Sequence, residues 1–263
     1  MMCIPISQLE QYYHIATEIL TEAETMFSAG MGADPLVMKE TGDFATQVDL
    51  NIERYLRQSL FERTNIPVYG EEFGGDQAQS MWVIDPIDGT ANYAVGNPMS
   101  AILISLIHAG KPVLGITSIP ATGQRFAAYT DSPLLACTTA TRLFPDRADT
   151  SNHIGLSSLI ATYDSPMPEI LEHGLEPLLK HEHLRVRMIG SVGIDLAYAA
   201  AGIYTGAVSF SPHLWDNAAG VVLAQAAGLT VTDLYGNPWQ LDSRGSIVAR
   251  PAIHRSILQA LRS

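Results

Sequence analysis

The run Met81-Trp82-Val83-Ile84 is a short apolar strand that breaks off into Asp85-Pro86-Ile87-Asp88-Gly89-Thr90. Two carboxylates three residues apart thus stand at the end of a rigid element. Pro86 fixes the turn between them, and Gly89 lets the backbone approach a ligand closely. Asp, Pro and Gly also make ordinary polar turns, so the motif alone is open to a purely structural reading. The chemical alternative is a hard divalent cation, because Mg2+ is held by a few carboxylates together with substrate phosphate.

Charge bears on that choice. The formal net charge is −12, from 15 Lys and Arg against 27 Asp and Glu. Such a balance repels a nucleic-acid backbone, and no basic run interrupts it, which argues against polymeric nucleic acid as a partner. An anionic small molecule could sit among these carboxylates only if bound cations reversed the local field. No apolar stretch approaches the roughly 18 residues that cross a bilayer, and the N-terminus lacks the basic and apolar regions of a signal peptide. A cytoplasmic protein with no membrane partner is expected. Cys3 and Cys137 form no CxxC pair and are read as reduced thiols.

With 47% hydrophobic residues in 263, the chain can fill one substantial core or two half-size lobes. Ser7 and Glu10 have capping-box spacing ahead of an amphipathic helix that stops at Gly30, and Thr46 can cap a second helix carrying Val48, Ile52, Tyr55, Leu56 and Leu60. Ser100 to Ile107, Val113 to Ile119 and Arg125 to Thr130 read as strands. Beyond the polar segment Asp131 to His153, the pattern predicts a strand over Leu156 to Thr162 and helices over Pro168 to Lys180 and Val192 to Ala201. A strand over Ala207 to Phe210, a helix from Asp216 to Ala227 and a last helix from Pro251 follow. Helices and strands mix without strict alternation, which favours a layered α+β architecture over a doubly wound sheet. The lobe boundary is placed in the polar segment, giving residues 1–150 and 151–263.

Further acids stand where elements end or begin. Gly70-Glu71-Glu72 follows the apolar Ile66 to Tyr69, Trp215-Asp216 opens a helix, and Thr46 with Asp49 opens another. Each has a structural explanation: surface acids, an N-cap and a capping box. Their combination and order are the informative feature.

The segments Asp43-Phe44-Ala45-Thr46-Gln47-Val48-Asp49, Gly70-Glu71-Glu72, Trp82 to Thr90 with Asn92 and Tyr93, and Trp215 to Gly220 with Ala226-Ala227-Gly228 together resemble the inositol monophosphatase family. Those are magnesium-dependent, lithium-sensitive phosphatases. The resemblance implies an αβαβα sandwich of the inositol monophosphatase and fructose-1,6-bisphosphatase type, a homodimer, and two or three Mg2+ ions. Glu71, Asp85 and the Ile87 carbonyl would hold one ion, and Asp85, Asp88 and Asp216 a second. Asp49 and Thr90 resemble the pair that orients the attacking water, with Glu71 beside them. The N–H groups of Gly89 and Thr90 would meet the phosphate. Four carboxylates against two divalent cations are formally neutral, so an anionic ester can enter.

The segment Ile189-Gly190-Ser191-Val192 resembles the family's substrate loop, with Val192 where a smaller residue is usual. His213 matches a histidine common in the family, and Lys39 resembles a lysine near the active-site loop. Ser209 stands where inositol-specific members carry an acid. A serine cannot grip two adjacent ring hydroxyls as a carboxylate does, so Ser209 counts against inositol phosphate as the preferred substrate while leaving it among the candidates. Histidinol phosphate, sugar phosphates and fructose bisphosphate are the other small phosphorylated metabolites considered. Two alternatives stay open: a 3′-phosphoadenosine 5′-phosphate phosphatase, weakly supported by Arg185, Arg187 and Tyr198, and a catalytically silent relative that only binds metal or ligand.

Overall fold

Apolar residues recur at helical spacing through Leu9, Ile15, Ala16, Ile19, Leu20, Ala23 and Phe27, and the computed structural model buries them on one face of α1 (Ile6–Gly30). It describes residues 4–38, 44–138, 152–157 and 184–262. The expected Ser7/Glu10 box does not start this helix. Pro5 is the N-cap, and no side chain caps it. Strands β1 (Pro35–Met38) and β2 (Phe44–Thr46) pair antiparallel and lead into α2 (Gln47–Thr64). There the Thr46 cap forms as its sequence predicts, and Asn65 in the left-handed region (φ 54°) ends the helix.

A six-stranded sheet follows in chain order: β3 (Val68–Gly70), β4 (Ser80–Asp88), β5 (Ala101–His108), β6 (Lys111–Ile119), β7 (Gln124–Tyr129) and β8 (Leu135–Thr138). The short α3 (Thr90–Ala94) lies between β4 and β5. All neighbours are antiparallel except β3 and β4, which are parallel. The later half contains β9 (His153–Leu156), β10 (Arg185–Arg187), α4 (Val192–Ala200), β11 (Gly206–Ser209), α5 (Leu214–Ala226), β12 (Thr230–Thr232), β13 (Ser246–Ala249) and α6 (Pro251–Arg262). Its strands form a five-stranded sheet in the order β10-β9-β11-β13-β12.

Strand alternation assigns the layers. On β5, Ile102, Ile104 and Leu106 pack with α1 and α2, whereas Ala101 and Leu103 pack with Ile194, Ala197, Ala219 and Leu223 of α4 and α5. On the smaller sheet, Val248 and Ala207 meet α4 and α5 through Leu196, Ala199 and Ala224, while Val208, Ile247 and Ala249 meet Ile257 and Ala260 of α6. The order is therefore helix, sheet, helix, sheet, helix, which is the layered α+β architecture expected. Each fully buried Leu or Ile on these faces contributes about 2 kcal/mol. Both sheets thus clamp α4 and α5, and the N-termini of those two helices arrive beside the end of β4.

Strand β9 begins before the predicted Leu156, and the strands β1, β2, β8, β10, β12 and β13 were not anticipated, β8 lying inside the segment read as polar, because three or four residues carry too little periodicity to read. The helix expected over Pro168 to Lys180, and Lys39, lie outside the described residues. Among the described residues, no helix is long and apolar enough to cross a membrane.

Candidate metal centre

Residues three apart on a regular strand point to opposite faces. On β4 an irregularity prevents this: Asp85 is in register with Leu103 and Asp88 with Ala101, so three steps along β4 match two along β5. This bulge inverts the alternation. Met81 and Val83 face α5, and Trp82 and Ile84 face α1 and α2, but Ile87 joins the α1 side. Asp85 and Asp88 thereby share the face that looks toward α4 and α5.

Asp88 docks on the N-terminus of α4. Its Oδ2 accepts from the Ser191 hydroxyl at 2.5 Å and from Gly193 N–H at 2.7 Å, and its Oδ1 accepts from Val192 N–H at 3.2 Å. Gly193 is required there, because a Cβ would fall 2.9 Å from Asp88 Oδ2 and 2.3 Å from Leu103. Asp216 lies in the first turn of α5, where the helix dipole favours a negative charge. It accepts a hydrogen bond from the Ser211 hydroxyl. Asn217, fully buried, donates to the carbonyls of Ser211 (3.0 Å) and His213 (2.8 Å) and accepts from Ser246 (2.9 Å), which fixes the turn that delivers Asp216.

The outcome is a group of three acids, Asp85, Asp88 and Asp216, with one carboxylate oxygen from each within 4.8 Å of the others. Burial, then Glu71, Asp88 and Asp216, raise the Asp85 carboxyl well above its usual range, and the Glu71 side chain is hydrogen-bonded to it. Burial and then Asp216 push Asp88 up to about 7, against the opposing pull of Ser191, Gly193 and Val192. Buried like charges that raise one another's pKa are relieved by a proton or by a cation. The donors are all hard carboxylate oxygens, the set that Mg2+ or Ca2+ takes and that a zinc or copper site does not prefer.

Asp49 combines the structural and the chemical readings. Its Oδ2 accepts from Thr46 N–H (2.9 Å) and the Thr46 hydroxyl (2.5 Å), completing the cap of α2. Its Oδ1 lies 3.4 Å from the Thr90 hydroxyl, which also donates to the Ile87 carbonyl at 2.9 Å. The structure thus brings Asp49, Thr90 and Ile87 together at the end of β4. Gly89, the N-cap of α3, holds φ 85°, and a Cβ there would meet the Gly190 carbonyl at 2.8 Å.

Other expected contacts fall around this centre. Gly190 (φ 82°) and Ser191 precede α4, and Val192 is its first residue. His213 is the N-cap of α5 and stacks on Trp215 with centroids 4.7 Å apart. Ser209 ends β11, buried, with its hydroxyl accepting from Ser211 N–H at 3.2 Å.

The positioning roles of Asn92, Ser211 and Asn217 were not read from the sequence, because each acts on a backbone or side chain that only folding brings near. Asn92 carries the longest link. Its Nδ2 donates to the carbonyls of Met99 (2.6 Å) and Ile189 (2.7 Å), clamping α3 to the segment that holds Asp88. Asn92→Ala should cost about 2 kcal/mol of stability through two unpaired carbonyls, and lower kcat/KM about tenfold. Urea unfolding and steady-state kinetics check the two numbers.

A model of the inositol monophosphatase family matches residues 8–263. The inositol-1-monophosphatase ImpA of Mycolicibacterium smegmatis is 44% identical over 94% of this chain and 91% of its own, and the ImpA of Mycobacterium tuberculosis is 43% identical over 94% and 93%. Among solved structures, an IMPase from Thermotoga maritima superposes with a TM-score of 0.82 at 23% identity, covering 98% of this chain and 97% of that one.

Proposed function

The chain belongs to the inositol monophosphatase family of metal-dependent phosphoric monoester hydrolases, and from that premise we propose that it releases phosphate from an inositol monophosphate with Mg2+ as its cofactor. The observation that carries the proposal is the convergence of Asp85, Asp88 and Asp216, with Glu71 bonded to Asp85. We assign Glu71, Asp85, Asp88, Asp216 and the Ile87 carbonyl to two or three ions. When bound, such ions acidify the attacking water and stabilise the leaving oxygen. The chain's own residues do the rest. Asp49 and Thr90 hold the water in line, since the Thr90 hydroxyl already lies between Asp49 and Ile87. The N–H groups of Gly89 and Thr90 at the start of α3 receive phosphate oxygens. Gly190, Ser191, Val192, Ser209 and His213 surround the alcohol. Residues 1–150 then carry most of the ligands, and residues 151–263 supply Asp216 and the substrate contacts.

Inositol is preferred here over the other candidates because the relatives at 44% and 43% identity are both named for it. That weighs against the expectation drawn from Ser209. The Ser209 hydroxyl is engaged by the turn before α5, so we assign this position to shaping the ring's space and the grip on ring hydroxyls to the loop at Gly190 to Val192. A cytoplasmic homodimer inhibited by Li+ completes the proposal.

A phosphate-release screen with Mg2+ over inositol 1-phosphate, histidinol phosphate, fructose 1,6-bisphosphate and 3′-phosphoadenosine 5′-phosphate tests it. Inositol 1-phosphate should lead in kcat/KM by at least about tenfold, the worth of one good polar contact. A tenfold lead for any other substrate reassigns the enzyme, and release without added divalent metal refutes the cofactor.

A further inference from the structure

Glu53 is fully buried on α2, one turn beyond Asp49 on the same face. Its Oε2 accepts from Glu72 N–H at 2.7 Å, and its Oε1 accepts from Phe73 N–H at 3.0 Å and from Arg57 Nη2 at 2.9 Å. Arg57, one further turn along, donates to the carbonyls of Val68 (2.6 Å) and Gly74 (2.7 Å). A single i,i+4 ion pair therefore holds both ends of the turn that follows β3. The fit is close: a Cβ on Gly70 would fall 2.2 Å from Glu53 Oε1.

Stability alone does not explain this pair. Here Glu53 is buried and Arg57 half-buried, and an ion pair taken out of water is often matched or surpassed by apolar residues of the same volume. What apolar residues could not supply is direction, because two consecutive N–H groups aimed at one carboxylate fix the peptide planes on the C-terminal side of Glu71. On its N-terminal side, Glu71 N–H donates to the Ile84 carbonyl at 3.3 Å. Glu71 is thus the residue suspended between two fixed points, and its side chain reaches Asp85. The Arg57 charge also matters. It offsets Glu53, so the support adds no further net negative charge beside an already acidic centre.

We propose that Glu53 and Arg57 are positioning residues that set the Glu71 carboxylate for cation binding, and thereby set the metal affinity of the site. Glu71 as a metal ligand, part of the function proposed above, is its premise. Glu53 itself is occupied by three donors and acts only through Glu71.

The test is calorimetric titration of the full chain with Mn2+ alone, alongside the Mg2+ concentration giving half-maximal phosphate release. Glu53→Gln keeps the shape but turns an amide toward groups that all donate. It should weaken Mn2+ binding roughly 10- to 100-fold, the range seen when ligand-orienting residues are lost, and raise the Mg2+ requirement by the same factor. At saturating Mg2+, kcat should recover and the substrate KM should stay near wild type. Glu71→Gln is the reference. If it leaves Mn2+ binding unchanged, Glu71 is not a ligand and the premise fails. If it weakens binding while Glu53→Gln does not, the premise stands and the positioning role is overturned. The double variant Glu53→Gln/Glu71→Gln should bind Mn2+ no more weakly than Glu71→Gln alone; multiplied losses would show that Glu53 acts independently and would also overturn the proposal. Should Glu53→Gln fail to fold, Arg57→Lys, which keeps the charge but loses the fork to Val68 and Gly74, undergoes the same comparison.

Discussion

Asp85→Asn should leave the chain folded and lower phosphatase activity by about 10³-fold or more, the loss that follows removal of a key electrostatic group from an active site. Glu71, Asp88 and Asp216 all act on the Asp85 carboxyl. An amide of the same shape removes one negative charge from that group and leaves room for the Ile87 N–H bond, which Asp85 Oδ1 accepts at 2.9 Å. Without metal, the variant should therefore melt no lower than wild type at neutral pH. Circular dichroism and phosphate release, measured on one preparation, separate the two effects. Near-normal turnover would remove Asp85 from the ligand set, and an unfolded variant would show that its role is architectural.

The second large effect is expected from metal removal. In chelator, wild-type protein should lose stability as the pH rises from about 4 to about 7, and Mg2+ should restore it. Unfolded aspartates titrate near 3.9, whereas folded Asp88 titrates at about 7 because of burial and Asp216, and Asp85 is also raised. Between those values the folded chain holds protons that the unfolded chain has released, so raising the pH favours unfolding. The stabilising contribution of these protonated groups is thus intact below the unfolded pKa and gone above the folded one. Cation binding requires the deprotonated acids and releases their protons. At about 100 Kd of Mg2+ the gain is roughly 2.7 kcal/mol, or about 5–10 °C in Tm for a chain of this size. The Mg2+ shift should be much smaller at pH 5 than at pH 7.5. Equal shifts at both, in a thermal melt with and without chelator, would contradict the proposed centre.

The legibility of the site followed how local its parts were. Thr46 and Asp49 could be read as a cap, and that cap is present. The same carboxylate also reaches Thr90, 41 residues away, which no spacing rule reveals. Strand β4 was read as far as Ile84, but the bulge that turns Asp85 and Asp88 to one face depends on pairing with β5. Glu53 and Arg57 would pass for a solvated i,i+4 pair; folding brings Gly70 to Gly74 against them, burying Glu53 and half-burying Arg57. The helix starts at Val192 and Leu214 were approximately legible from small and apolar residues. Their common direction toward β4 was not.

The sequence by itself determined which residues could bind a hard cation, and which elements would carry them, because capping, alternation and strand termination act within a few residues. It also determined the acidic balance that makes a bound cation necessary for an anionic substrate. Only the tertiary structure decided that Asp216 would meet Asp85 and Asp88, that Ser191 and Gly193 would hold Asp88, and that α2 would support Glu71. Those contacts join segments 11 to 131 residues apart, and their geometry is set by how two sheets pack across α4 and α5, a property of the assembled layers that no single segment contains.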